Sequence, residues 1–383
     1  MVARREHPNL QFQIPIIAIC NLVLGVCCTV GVLGTGLCAQ EETPAPPAPR
    51  DTVRMTDGKI LPNVLVLSET PTEVKLDTNG DSKPDRTLDQ NDVTTIQYGG
   101  APASFRQAIA FYKVRQYDEA MTQFAEATKT PKVRQWVKDY SAYYVAMCWA
   151  RQSEIDPTRR DRAIAAFQEL LKDANNRWRD EARYQLGQIA LAAGDKQQAF
   201  SAFGQLESGA HKDEMKLTAS VGLGALMMAD GKAREALARY DTVVSGAKGR
   251  FRDLYETATV GKAEALTALK RYDEAKAFIE GVLKSATSDE LLAKARLALG
   301  DCYYAQAERD EDKKEARQKY KAALKNYLWN VVVFYNQRAE YARALLYAGR
   351  CWEKLGETAR AQELYKELRN KFGTTKWAGM IGG

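Results

Sequence analysis

Histidine is nearly absent from this chain of 383 residues, which holds His7 and His211 and no other. Neither a histidine dyad nor a histidine-built metal site can be assembled from two positions so placed. His211 reads as a solvated loop residue. Cysteine is scarce where it would matter: Cys20, Cys27, Cys28 and Cys38 fall within the first forty positions, leaving Cys148, Cys302 and Cys351 in the body. An odd count argues against a disulfide framework, so these three are expected to be buried small hydrophobes. Also missing are a glycine-rich phosphate loop after a strand, a Gly-x-Ser-x-Gly elbow and a cysteine pair at zinc spacing. The paired acids Glu41-Glu42 and Asp310 to Asp312 sit in polar stretches where solvation explains them. These absences point away from an enzyme and predict no cofactor.

Charge of one sign is lacking too. Lys and Arg number 55 against 49 Asp and Glu, a net of +6; without Arg4, Arg5 and Glu6 the remainder is 53 minus 48, or +5. Spread over more than 300 residues, that is too dilute for a nucleic-acid footprint, and no nucleic-acid partner is expected.

What is present begins with Arg4 and Arg5, followed by a run from Pro8 to Gln40 without a charged side chain. Residues 1–40 are expected to be an export signal, with Leu22 to Leu33 as its apolar centre and small residues near Gly36, Cys38 and Ala39 for cleavage. The same run is long enough to span a bilayer uncleaved. Both readings place the rest of the chain outside the cytoplasm, in the periplasm or cell envelope. A proline-rich spacer follows over 41–50. From 51 to 100 the texture is short β-rich runs with an Asp57-Gly58 turn, which predicts a small antiparallel β module. So short a module either closes on itself or leans on the segment next to it in the chain. Within it, Asp77, Asn79, Asp81 and Asp85 have the one, three, five, nine spacing of calcium loops. Ser82 stands where glycine is wanted and Leu88 where the closing acid belongs, so a polar hairpin loop explains the same residues.

From Ala101 the apolar spacing moves to three and four, which predicts helices to the end of the chain, 101–383. Small residues recur at Ala108, Ala146, Gly187, Gly224, Ala263, Gly300 and Gly349, marking seven units. Each unit's second helix carries an alanine and, four residues on, a large side chain. These pairs are Ala120 with Phe124, Ala163 with Phe167, Ala199 with Phe203, Ala236 with Tyr240, Ala275 with Ile279, Ala316 with Tyr320 and Ala361 with Tyr365. Small residues let paired helices approach, and the large ones fill the space beside them.

This pattern resembles the tetratricopeptide repeat family, with its small residues at positions eight and twenty and an aromatic at twenty-four. The longer spacing here is similar to that of bacterial envelope members, and the β module resembles SH3-like or Sm-like small barrels. The resemblance implies a mainly α fold, a right-handed α-solenoid of about seven hairpins after the β module. It also implies a concave groove lined by the first helices, at Phe105, Ile109, Tyr112, Tyr140, Tyr143, Met147, Tyr184, Gln188, Met228, Glu264, Tyr304, Arg343 and Arg350. The expected function is an exported, non-enzymatic scaffold that binds a protein or peptide there, aromatic anchors beside arginine being suited to such interfaces. Two alternatives stay open: a self-assembling envelope component, and an accessory protein that binds cell-wall carbohydrate through its tyrosines. Membrane association is expected only through an uncleaved N-terminus.

Overall fold

The computed structural model describes residues 50–382. The expected export signal or anchor over 1–40, and the spacer up to Pro49, lie outside the described residues. No helix among the described residues is long and apolar enough to cross a membrane.

Strands β1 (Asp51–Met55), β2 (Ile60–Glu69), β3 (Glu73–Asp77), β4 (Arg86–Asp89) and β5 (Val93–Gln97) come first. They form an antiparallel sheet in the order β4-β3-β2-β1-β5. Alternating residues bury one face, with Val53, Val66, Val74 and Leu76 at its centre. The ten-residue β2 pairs with β1 through its first half and β3 through its second. Among the described residues no ladder joins β4 to β5, so the module is open and leans on the helices.

Seven helical hairpins follow. Their helices are α1 (Ala103–Lys113) with α2 (Tyr117–Thr128), α3 (Gln135–Ser153) with α4 (Arg160–Leu171), and α5 (Arg179–Ala193) with α6 (Lys196–Gly209). Next come α7 (Asp213–Ala229) with α8 (Ala233–Ala247) and α9 (Arg252–Ala268) with α10 (Tyr272–Ser285). The last two pairs are α11 (Asp289–Ala307) with α12 (Lys313–Val332) and α13 (Arg338–Lys354) with α14 (Thr358–Phe372); the short α15 (Lys376–Gly379) closes the array.

The stacking rule is visible atom by atom. A Cβ built on Gly187 or on Gly222 would lie 2.5 Å from the Phe203 ring, so that ring is seated on the bare backbone of α5 and of α7 together. Tyr240 is clamped in the same way between Gly224 and Gly261. Each ring thereby joins its own hairpin to the next one, and glycine is required by the closeness of approach. Cys148, Cys302 and Cys351 are free and fully buried, as small apolar fillers of these seams. Burial pushes all three thiols above their ordinary range, that of Cys148 to about 12.

The sixth hairpin departs from the expected pairing. The residue seated on Gly300 is Tyr327, not Tyr320, and the small residue before it is the fully buried Ala323, not Ala316. Seven residues are close to two helical turns, so the insertion behind the 49-residue spacing from Gly300 to Gly349 keeps the face and moves the seat. Tyr320 packs edge-on against Tyr304 instead.

Two substitutions of the same kind should have opposite signs. Gly222→Ala forces Phe203 from its seat and is expected to destabilise by about 1–3 kcal/mol. Gly204→Ala, in α6 where nothing lies within 4 Å of the new Cβ, is expected to stabilise by up to about 1 kcal/mol, since alanine restricts the unfolded chain. Urea unfolding midpoints of the two variants check this; the same sign for both would contradict the seating.

Candidate functional site

The β module is fastened to the first helices by buried charge. The Asp51 carboxylate is fully buried, accepting from the Val66 and Gly99 amides (2.8 and 2.9 Å) and from both terminal nitrogens of Arg134, just before α3 (2.8 and 2.6 Å). Glu69, at the end of β2, accepts from Gln90 Nε2 (3.2 Å), Tyr98 Oη (2.7 Å), Tyr140 Oη (3.0 Å) and Arg177 Nε (2.5 Å). That fills a carboxylate's capacity. Burial, and next to it the Glu69 charge, pushes the Tyr98 and Tyr140 hydroxyls up, so both keep the protons they donate. A third fastening corrects the expectation for His211. Its Nε2 lies 2.8 Å from both Asp89 oxygens, and its carbonyl accepts from Asn91.

These fastenings sort the candidate groove residues. Phe105 and Met147 are buried in the seams between helices. Tyr140 is held by the β module, and Tyr143 stacks on Trp178 at 4.0 Å with its planes nearly parallel. Ile109 and Met228 are half-buried in the packing of the first and fourth hairpins. Tyr184 leans on Phe203 at 5.9 Å, and Tyr304 meets Tyr347 edge-on. Arg343 Nη2 donates to Asp301, lies 3.9 Å from Glu264 through Nη1, and covers the Trp377 ring. Arg350 donates to the Met380 carbonyl, 3.1 Å away. Burial pushes the Glu264 carboxyl up, with Arg343 opposing it.

Tyr112 and Gln188 are brought together with residues that sequence reading missed. They line a cavity of about 370 Å³ with Arg115, Arg151, Glu154, Glu290, Lys294 and Glu340, drawn from the first, second, third, sixth and seventh hairpins. The two ends of the array meet at its rim. Arg115, in the turn of the first hairpin, donates through Nη1 to the Asn336 carbonyl and through Nη2 to Gln337 Oε1 (2.8 Å). Thr374 Oγ1 donates to the Ile155 carbonyl, 2.6 Å away. The inner helices thus enclose a channel instead of lining an open groove. Lys294 was within reach of sequence reading, because it occupies the second position of the sixth unit, as Tyr140 does in the second.

Charges alternate around the wall. Arg151 pairs with Glu154 at 2.8 Å and Lys294 with Glu290 at 2.7 Å. Lys294 holds the Glu290 carboxyl below its ordinary value of 4.5, against burial. Burial pushes Glu340 above that value, with Lys294 opposing. The wall offers ionic partners to a polar segment and no nucleophile poised beside a base.

The calcium-spaced residues cap amides of their own loop. Asp77 caps the Gly80 and Ser82 amides (2.5 and 2.9 Å), Asn79 the Asp81 amide (3.0 Å), and Asp81 the Lys83 amide (2.8 Å). Asp85 accepts from the Thr78 amide and hydroxyl. The Gly80 amide, opposed by burial, holds the Asp77 carboxyl low. Among the described residues, no three His, Cys, Asp or Glu side chains gather as a metal-holding group.

A family model described as tetratricopeptide repeat matches residues 181–208 and 343–375, in the third and seventh hairpins. No curated protein matches the chain. Among solved structures, the chain is similar to a Rap protein complexed with competence and sporulation factor, at 13% identity over 72% of this chain and 76% of that one, TM-score 0.49. It is similar to a tetratricopeptide repeat protein from Parabacteroides merdae, at 13% identity over 70% of this chain and 91% of that one, TM-score 0.46. It is also similar to PilW, a type IV pilus biogenesis factor, at 15% identity over 63% and 97%, TM-score 0.42. Repeats of the matching family build scaffolds for protein–protein interaction, and this chain carries such a scaffold.

Two measurements test the electrostatics. Asp51→Ala leaves Arg134 half-buried without its carboxylate and is expected to cost about 3–5 kcal/mol in urea unfolding; a loss below 1 kcal/mol would contradict the fastening. Glu340 has a raised folded pKa, so its charged form burdens the fold above that pKa and the burden vanishes below the ordinary 4.5. Glu340→Gln should therefore raise Tm at pH 7, with the gain closing as pH falls toward 4.5. Glu290, held low, stabilises above its ordinary value and loses this as pH falls through its folded pKa. Glu290→Gln should lower Tm at pH 7, and thermal melts across pH 4 to 7 check both signs.

Proposed function

We propose that this tetratricopeptide-repeat chain is an exported, non-enzymatic scaffold that holds a short segment of a protein partner in the channel enclosed by its inner helices, within a cell-envelope complex. The observation that carries the reading is the channel wall. Ionic side chains from four hairpins converge on about 370 Å³ of space, a volume within the range of ligand sites, roughly 300–1,000 Å³. A segment bearing both acidic and basic side chains finds partners there in Arg151 and Lys294 and in the acids Glu154, Glu290 and Glu340 that alternate with them. Export is supported by Arg4 and Arg5 ahead of the uncharged run from Pro8 to Gln40. The carbohydrate reading gains nothing from Tyr143, whose ring face is covered by Trp178. Residues 373–382 offer little to self-assembly, since Trp377, Ala378 and Ile381 pack on the last hairpin.

A benzophenone amino acid at position 188, introduced in the full chain in its native envelope, is expected to give a protein adduct on illumination. Arg151→Glu in the same chain should abolish that adduct. The same probe at the exposed Phe200 of α6 should give none. Adducts from position 200 alone, or from 188 regardless of Arg151→Glu, would rule out the channel as the binding site.

A further inference from the structure

Helix α12 is the longest of the second helices, 20 residues where the others have 12 to 15. Its extra turns lie before the seat, Lys313 to Tyr327 in place of Lys196 to Phe203 in α6, so its last turn is no longer than those of its counterparts. That last turn is nevertheless apolar and open: Trp329 is 38% exposed, Val332 70%, Val333 48% and Tyr335, in the following loop, 55%. These are four of the nine exposed large hydrophobic residues among those described, gathered within seven positions. A shallow apolar groove of about 390 Å³ runs beside them, between α12 and Trp352. Such clustering marks an interaction surface, whereas scattered exposed apolar residues need no explanation.

The charge behind the tip says what the surface fits. Along the exposed face of α12 stand Arg317, Lys321 and Lys325, spaced four apart, and the helix's one acid, Glu315, lies at its opposite end. Lys321 and Lys325 are exposed and appear in none of the ion pairs among the described residues. At the helical rise, Lys325 stands about 10 Å and Lys321 about 16 Å behind Val332. Interfacial segments bury their apolar side about 5–10 Å into the boundary between headgroups and acyl chains. With the tip at that depth, both lysines reach the phosphate layer. Arg296 lies over the Trp329 ring at 4.8 Å and fixes the indole at the edge of the patch, where an amphipathic ring suits a bilayer interface.

We propose that the exposed C-terminal end of α12 docks on an anionic lipid surface, Trp329, Val332, Val333 and Tyr335 entering the interface and Lys321 and Lys325 pairing with lipid phosphates. This surface shares no residue with the channel wall. It would hold the array against a membrane by its sixth hairpin.

The test uses tryptophan fluorescence, because residues 1–49 contain no tryptophan and an inserted leader cannot contribute. The full chain is mixed with vesicles of brominated phosphatidylcholine, with and without phosphatidylglycerol. Quenching is expected with the anionic vesicles, and Trp329→Phe should remove the larger part of it. Each lysine near an anionic surface is worth about fivefold in partition, so Lys321→Glu with Lys325→Glu should weaken docking at least about 25-fold. That variant should keep its circular dichroism and its melt. Quenching that persists in Trp329→Phe would assign docking to another surface. Quenching indifferent to phosphatidylglycerol and to the lysine reversal would overturn the pairing with lipid phosphate. Lipid-free self-association that Val332→Ser abolishes would assign the patch to a second copy of the chain.

Discussion

A ring set down on bare backbone is the interaction on which the rest of the array depends. Phe203 fills the space over Gly187 and Gly222, and Tyr240 does so over Gly224 and Gly261, so the second helices of the third and fourth hairpins are each pinned to their own first helix and to that of the next hairpin. Because interiors are close-packed, the size of the seated side chain and the smallness of its seat fix the distance between neighbouring hairpins. The six junctions between the seven hairpins accumulate into a curve tight enough for Arg115 to reach Asn336 and Thr374 to reach Ile155. The channel and its wall of charges are products of that accumulation.

The β module solves a different problem. It covers the aromatic residues at the starts of α3 and α5, in the second and third hairpins, along one edge of the stack. Tyr98 lies flat on Trp136 at 4.5 Å, while Asp51 and Glu69 take up the guanidinium groups of Arg134 and Arg177. Buried ion pairs add little net stability when complete and cost much when broken. Their effect here is specificity of placement: the module has one seat on the array, fixed by two carboxylates whose hydrogen bonds are all supplied.

The helical hairpins were legible in the sequence because their determinants are local. A small residue, a turn and an alanine four before a ring lie within one unit, and six of the seven pairs sit where periodicity puts them, the sixth unit being displaced by two turns. The site was less legible. Position within the unit brought out Tyr112 and Gln188, yet Tyr140 and Tyr143 obey the same rule and are occupied by Glu69 and Trp178. His211 looked solvated because Asp89, its partner, is 122 residues away. Arg115 is a turn residue in sequence, and its place at the channel rim depends on the curvature of the whole stack. What escaped sequence reading is in each case a pairing between segments far apart along the chain, which no local pattern encodes.

The sixth hairpin shows how an insertion can be absorbed without moving a seam. Its two extra turns lie at the start of α12, before the seat, since Lys313 leads to Tyr327 where Lys196 of α6 leads to Phe203. Two turns return the helix to the same face, so Tyr327 still sits over Gly300 and the chain beyond it runs as in the other units. The next loop therefore arrives at the first hairpin, where Asn336 and Gln337 receive Arg115, by the same accumulated curvature that shapes the rest of the array. An added length far from a whole number of turns would have turned the seated ring away from Gly300 and broken the stack at that seam.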